Sequence, residues 1–124
     1  RDLRMSRGLG DVYKRQINGD TRKNADRIYN FKTGSVKTKC LHEGWQTSGS
    51  LKVVRMAFNL YCNSTPSVWD YEDAEEQVNE CRQYTVEDIF CCVYAPYFWQ
   101  AIQIRYPEYV VYNQKLHAML GGID

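Results

Sequence analysis

Residues 44–50, with the sequence GWQTSGS, precede the start of a predicted helix and are the first place where chemistry could occur. Free amides at a helix N-terminus, together with nearby hydroxyl groups, can hold a phosphate or a carboxylate. The candidate anion ligands are Thr47, Ser48, Ser50 and Arg55. The loop lacks the spacer and the Gly-Lys-Ser/Thr ending of a P-loop, and ordinary helix capping explains the same residues.

A second candidate site is the basic stretch over residues 22–39. Over residues 18–39, Asp20 and Asp26 partly offset six cations, which are Arg22, Lys23, Arg27, Lys32, Lys37 and Lys39. Tyr29 and Phe31 lie between these cations, and cations combined with stacking aromatic rings are the materials of nucleic-acid binding. The alternative is an ordinary solvated basic face.

The acidic residues concentrate further along the chain. Six of them lie within eleven positions: Asp70, Glu72, Asp73, Glu75, Glu76 and Glu80. We expect a solvated connection, with a partner-binding surface as the alternative. Freely solvated carboxylates lack the environment that separates the pKa values of a catalytic acid and base, so this stretch does not predict catalysis.

The cysteines and histidines do not form a recognisable metal or catalytic motif. The five cysteines are Cys40, Cys62, Cys81, Cys91 and Cys92. Their odd number and irregular spacing argue against a disulfide framework and favour reduced thiols in a cytoplasmic protein. Cys40 and His42 are too close for the usual pairing of zinc ligands, and no nucleophile motif is present. We therefore predict no catalytic residue, metal or cofactor, and the sequence favours a non-enzymatic role.

The element that would position the first loop is a helix over residues 51–61, with Ser50 as its predicted N-cap. At 100° per residue, Lys52, Arg55 and Asn59 form one narrow polar stripe, and the other side chains are apolar. A helix that is apolar over so much of its circumference is buried on several sides. This pattern predicts the central helix of the domain, with Arg55 on its exposed stripe.

Shorter helices are predicted on both sides of it. Thr21 is a candidate cap for a helix over residues 22–29, and Thr85 for a later helix that Pro96 breaks or kinks. Pro107 can open a last helix, which Gly121 would end, and a brief strand is possible within residues 31–48. The inner face of the helix after Thr85 is predicted to comprise Ile89, Phe90 and Val93. The sum is an all-α bundle of four to five helices with irregular loops.

Two segments together carry a family resemblance. They are CLHEGWQTSGSLKVVRMAFNLY, at residues 40–61, and YTVEDIFCCVYAPYFWQAIQIRYPEY, at residues 84–109. The chain resembles, over residues 28–109, a family of small uncharacterised bacterial proteins found in gut anaerobes and their mobile elements. The resemblance implies no activity or site residue. Members of that family have more helix before the matching region, which implies an N-terminally truncated chain.

The first sixteen residues do not read as part of the domain. Residues 6–16, SRGLGDVYKRQ, resemble an in-frame translation of a sequencing adapter, and we exclude residues 1–16 as non-native. This leaves one small helical domain over residues 17–124. Without the excluded segment the formal charge is about −2, which gives no global argument for nucleic acid.

These sequence features support three functional hypotheses, of which one leads. The leading hypothesis is an accessory or protein-interaction module, which would use the acidic connection or residues 45–50. The first alternative is a nucleic-acid-associated protein that uses the basic stretch, and the second is a small-anion binder or enzyme at residues 44–50. No apolar run reaches the roughly 18–20 residues that a membrane span needs.

Overall fold

The computed structural model describes residues 19–110 and confirms a small, mostly α-helical domain. The predicted non-native segment and the predicted end of the last helix lie outside this range. The helices are α1 (Gly19–Lys23), α2 (Ala25–Ile28), α3 (Ser48–Cys62), α4 (Ala74–Arg82), α5 (Val86–Phe90), α6 (Ala95–Arg105) and α7 (Pro107–Val110). Two 3₁₀ turns, Thr38–His42 and Pro66–Asp70, and two short strands, β1 (Tyr29–Asn30) and β2 (Ser35–Val36), complete the described chain.

The longest helix, α3, lies at the centre of the core, as its apolar circumference predicts. Val53, Val54, Phe58 and Leu60 are almost fully buried on it. Around them pack side chains from both sides of the helix in the sequence, among them Cys40, Leu41, Val68, Tyr84, Ile89, Phe98 and Ala101. Because this helix is covered on several sides, it positions the elements that pack directly on it, which include α1, α5, α6 and the second 3₁₀ turn.

The predicted N-cap of α3 is wrong by three residues. The cap is Thr47, whose hydroxyl accepts a hydrogen bond from the Ser50 amide at 3.0 Å. The Ser50 hydroxyl in turn accepts one from the Thr47 amide at 2.7 Å. This reciprocal capping box satisfies two amides, with serine in the position that glutamate usually takes, and it explains why the helix begins at Ser48.

A two-stranded antiparallel hairpin precedes the first 3₁₀ turn. Its second strand, β2, confirms the brief strand predicted within residues 31–48. Tyr29 pairs with Val36, and Asn30 pairs with Ser35. The turn ends at Gly34, whose φ of 71° lies in the left-handed region that glycine adopts without strain. Before the hairpin, Thr21 lies inside α1 and is buried, so the prediction that it caps a helix is wrong.

The second half of the chain corrects two further predictions. Thr85 caps α5 as expected, with its hydroxyl accepting from the Asp88 amide at 3.2 Å. The helix ends at Phe90, however, so Val93 lies in the following turn and is 82% exposed rather than on the inner face. Pro96 opens α6 instead of breaking a helix, because the first helical turn has no use for the missing amide. Pro107 opens α7 as predicted.

Within the described residues, none of the helices combines the length and the apolar character that crossing a membrane requires.

Candidate functional site

A buried ion pair joins the central helix to α4. Arg55 donates from Nε to Oε2 of Glu80 and from Nη2 to Oε1, both at 2.9 Å. The Arg55 side chain is 11% exposed and the Glu80 side chain 5%. Paired, parallel hydrogen bonds from a guanidinium to a carboxylate are among the strongest that proteins form, and water is largely excluded from this one.

Two hydroxyl groups extend the ion pair into a buried polar cluster, which comprises Arg55, Ser67, Glu80 and Tyr84. Ser67 donates to Oε2 of Glu80 at 2.6 Å and lies 2.7 Å from the Tyr84 hydroxyl. Burial raises the pKa of Tyr84 to about 12, so this hydroxyl stays protonated at neutral pH. No buried side-chain oxygen or nitrogen in the described part of the chain lacks a hydrogen-bond partner.

The cluster corrects two expectations about exposure. Arg55 does not lie on a solvated stripe, and Glu80 is not one of the solvated acids. Both side chains can be buried because each neutralises the charge of the other, and because further hydrogen bonds satisfy the remaining acceptor capacity of the carboxylate. The other two residues of the stripe also hold neighbouring segments, since Lys52 donates to the Asp88 carbonyl and Asn59 to the Ser64 carbonyl.

The hydrogen bonds of the cluster give it a structural role. Both carboxylate oxygens of Glu80 already accept hydrogen bonds, and Ser67 donates to that carboxylate. No element of this arrangement leaves a base facing a substrate. Its effect is to hold the chain between Pro66 and Arg82 against α3.

The helix that this cluster fastens has an unusual surface. Glu80 is the one buried residue of the nine in α4. Apart from the half-buried Gln77, the rest of the helix faces solvent, and the adjoining 3₁₀ turn carries Trp69, which is 80% exposed. The turn and α4 pack against each other. We call the outer residues of these two elements and their connection the acidic surface: Trp69, Asp70, Glu72, Asp73, Glu75, Glu76 and Val78.

Several hydrogen bonds fix the shape of the acidic surface. Asp73 caps α4 by accepting from the Glu76 amide at 3.1 Å. Gln77 donates to the Tyr71 carbonyl at 2.7 Å, and the Thr38 hydroxyl donates to Asp70 at 3.2 Å. Burial and then the charge of Glu80 raise the pKa of Tyr71. These hydrogen bonds join the 3₁₀ turn, the connection and the start of α4 to one another.

The four predicted anion ligands do not form one site, because their side chains have different partners. Thr47 and Ser50 meet, but in the capping box, and Ser50 also donates to the side chain of Gln46. Ser48 is exposed at the start of α3. Arg55 is directed to Glu80 rather than to the loop. Anion binding at these residues stays a prediction, with three of the four side chains already hydrogen-bonded.

The predicted nucleic-acid ligands are spread over α1, α2, the hairpin and the first 3₁₀ turn. Lys23, Arg27, Lys32, Lys37 and Lys39 are all exposed, and the side chain of Arg22 lies outside the description. The Lys37 ammonium donates to the Asp26 carbonyl at 2.8 Å, and Arg27 lies 3.9 Å from Glu43. The described cations are therefore accessible to a ligand, although Lys37 and Arg27 already contact other residues of the chain.

The cysteines carry no metal or redox arrangement that the described residues reveal. All five are free thiols, and no group of three or more metal-ligating side chains occurs among residues 19–110. Cys40 is completely buried, and this burial raises its pKa to about 12. Its thiolate is therefore scarce at neutral and mildly alkaline pH.

We expect Cys40 to resist alkylation in the native protein while the exposed Cys81 and Cys91 react. The buried thiol lacks both access and thiolate character, whereas the other two lie at the surface. Iodoacetamide labelling at mildly alkaline pH, followed by peptide mass spectrometry, measures the three rates. Labelling in urea is the control and should equalise them. Equal rates in the native protein would show that the core around Cys40 opens freely.

Sequence reasoning missed the buried polar cluster, although two signals for it exist. Arg55 interrupts an otherwise apolar stretch between Val54 and Met56, and a cation among core positions needs a buried partner. Glu80 and Tyr84 are four residues apart, the spacing that places side chains on one side of a helix or its end. Neither signal identifies the partner, because the four residues come from separate elements.

Comparison with known proteins gives a family without an activity. The model of a family described as of unknown function, DUF6075, matches residues 10–118. This match is wider than the resemblance over residues 28–109, and it includes residues 10–16, so the domain boundary at residue 17 stays a prediction. Searches of curated proteins and of solved structures found no match.

Proposed function

We propose a protein-binding role for this chain, which belongs to the DUF6075 family of unknown function. Its acidic surface binds a lysine- or arginine-rich segment of another protein, and no catalysis is involved. One observation carries the proposal. Glu80 is the one buried residue of α4, and the acids of this helix face solvent next to a 3₁₀ turn whose Trp69 is 80% exposed.

The charge of the acidic surface indicates the kind of partner. Each of its five carboxylates, Asp70, Glu72, Asp73, Glu75 and Glu76, is exposed, and none is in a salt bridge with another described residue. Like charges this close repel one another, and a cationic partner removes that repulsion on binding. Complementary charge of this kind mainly raises the association rate and rejects acidic partners.

Trp69 supplies the apolar part of the contact. Tryptophan is one of the residues most often responsible for binding energy at protein interfaces, and its ring also attracts cations. The 3₁₀ turn that carries it is fixed from beneath by Ser67, which is fully buried. The backbone that carries the ring is therefore fixed, so a partner that covers the ring does not have to order the turn.

Trp69→Ala is expected to weaken binding of a cationic peptide about tenfold or more, as loss of an interface hot spot does. The probe is a fluorescein-labelled peptide of alternating arginine and leucine, titrated with the full chain and followed by fluorescence anisotropy. The double variant Glu75→Gln/Glu76→Gln should slow association and flatten the salt dependence, because it removes charge and leaves the ring in place.

Two control variants distinguish binding at the acidic surface from nonspecific binding elsewhere on the protein. Val86→Ala removes another exposed apolar side chain, and Glu108→Gln removes an exposed acid far along the chain. Both should bind as the unchanged protein does. Equal weakening by these variants, or equal binding of a peptide with glutamate in place of arginine, would refute the proposal. Circular dichroism checks that each variant is folded.

A further inference from the structure

The hairpin carries Phe31 on a turn that is stabilised by hydrogen bonds among its own residues. The Asn30 side chain accepts hydrogen bonds from the amides of Lys32 and Thr33, at 3.0 and 3.2 Å. The Gly34 amide donates to the Asn30 carbonyl at 2.8 Å. A turn closed in this way by an asparagine and a left-handed glycine has one preferred conformation.

The turn is also fastened to the central helix. Tyr61, near the end of α3, donates from its hydroxyl to the Gly34 carbonyl at 2.9 Å. Its hydroxyl also lies 2.7 Å from that of Tyr29, and the two rings meet edge to face at 5.2 Å. The hairpin is therefore attached to the core on both of its arms, through Tyr29 and Gly34.

Phe31 is the residue that this rigid turn exposes. Its ring meets Tyr29 edge to face at 5.1 Å, yet 68% of the residue remains accessible to solvent. The hairpin needs no further apolar contact there, because Tyr29 and Tyr61 already fasten it. Lys32 lies next to Phe31 in the turn, Lys37 directly follows β2 and Arg27 lies two residues before β1; all three are exposed.

We infer that the hairpin binds single-stranded nucleic acid, with one base stacked on Phe31 and the phosphates held by the surrounding cations. A ring on a rigid base can stack on any unpaired base, since every base has a π-face. Exposed cations in and next to the hairpin can contact a phosphate backbone. A duplex offers no unstacked base to the turn, so single strands should be preferred. This inference concerns a different surface from the acidic one and does not depend on it.

Binding of a labelled single-stranded oligonucleotide to the full chain, followed by fluorescence anisotropy, tests the inference. Phe31→Ala should weaken binding about tenfold or more, which is the usual effect of losing one stacked base. Phe31→Tyr keeps a stacking ring and should restore most of the affinity. The slope of log affinity against log salt should be about −2, for three neutralised phosphates.

Charge variants measure the phosphate contacts separately. Lys32→Gln should make the salt slope less negative by about 0.7 while leaving the preference among bases unchanged. Arg82→Gln removes an exposed cation outside the hairpin and serves as its matched control. Trp69→Ala is the control for Phe31→Ala, because it removes an exposed ring from the acidic surface and should not affect the oligonucleotide.

Three outcomes would overturn the inference. One is Phe31→Tyr binding as weakly as Phe31→Ala, which would exclude stacking. The second is displacement of the oligonucleotide by an equal charge of polyglutamate, which would indicate an acidic protein segment as the ligand. The third is equal affinity for duplex and single strand. Because Trp69→Ala and Phe31→Ala affect different probes, failure here leaves the protein-binding proposal standing.

Discussion

Arg55→Leu should lower the free energy of unfolding by about 3–5 kcal/mol, the usual result of removing one partner of a buried ion pair. The loss comes mainly from Glu80, which would remain buried with Ser67 as its one remaining hydrogen-bond donor in the cluster. Urea denaturation followed by tryptophan fluorescence measures the change. Hydrogen exchange should also show α4 losing protection first, because Glu80 is its one buried residue.

The matched variants distinguish a lost pair from a lost side chain. Arg55→Leu/Glu80→Leu removes both charges and should recover much of the stability, since apolar replacements of buried pairs are often neutral. Arg82→Leu removes an exposed arginine from the end of α4 and should change the free energy of unfolding by about 0.5 kcal/mol at most. An Arg55→Leu effect as small as that of Arg82→Leu would show that Glu80 is solvated in solution.

The buried polar cluster also connects folding to the proposed binding role. Ser67 lies two residues before Trp69, and Glu80 lies on the helix that carries Glu75 and Glu76. An isolated nine-residue helix is marginal in water, and one without an apolar face gains little from packing. Arg55 therefore acts as a positioning residue, because its contact with Glu80 decides whether the acidic surface has a defined shape.

The fold is predictable where one element decides it alone. The apolar circumference of α3 requires burial on several sides, and the structure confirms this. Its cap at Thr47 escapes prediction because the capping box uses serine at the third helical position instead of glutamate. Val93 is misplaced because α5 ends at Phe90, where a cysteine-rich turn replaces the expected further helical turn.

The candidate site is less predictable because contacts between distant elements decide it. Arg55 and Glu80 each look solvated when their own segments are considered alone, since one belongs to a polar stripe and the other to an acidic run. Burial is favourable only when the two side chains meet, and the local sequence around Arg55 does not identify Glu80 as its partner. The hairpin is similar, because strands of two residues gain their stability from Tyr61, which is 27 residues away from Gly34.

Phe58→Ala should destabilise the domain by about 3–5 kcal/mol, as large-to-small changes at buried aromatic positions do. Phe58 is among the largest fully buried side chains and lies on the helix around which the core is built. Removing the ring deletes contacts with that core and leaves a cavity that a tightly packed helix cannot close. Urea denaturation measures the loss as a lower midpoint, with an unchanged slope if unfolding stays cooperative.

Phe31→Ala is the matched control, because it deletes the same side chain from a residue that is 68% exposed. We expect a change of about 1 kcal/mol or less, the range of most surface substitutions plus one lost aromatic contact. Phe58→Leu is the milder core variant, and it keeps the measurement possible if Phe58→Ala does not fold. Similar losses for Phe31→Ala and Phe58→Ala would mean that the helix does not pack as described. In that case the positions of Arg55 and Tyr61, and both proposed surfaces with them, would lose their structural basis.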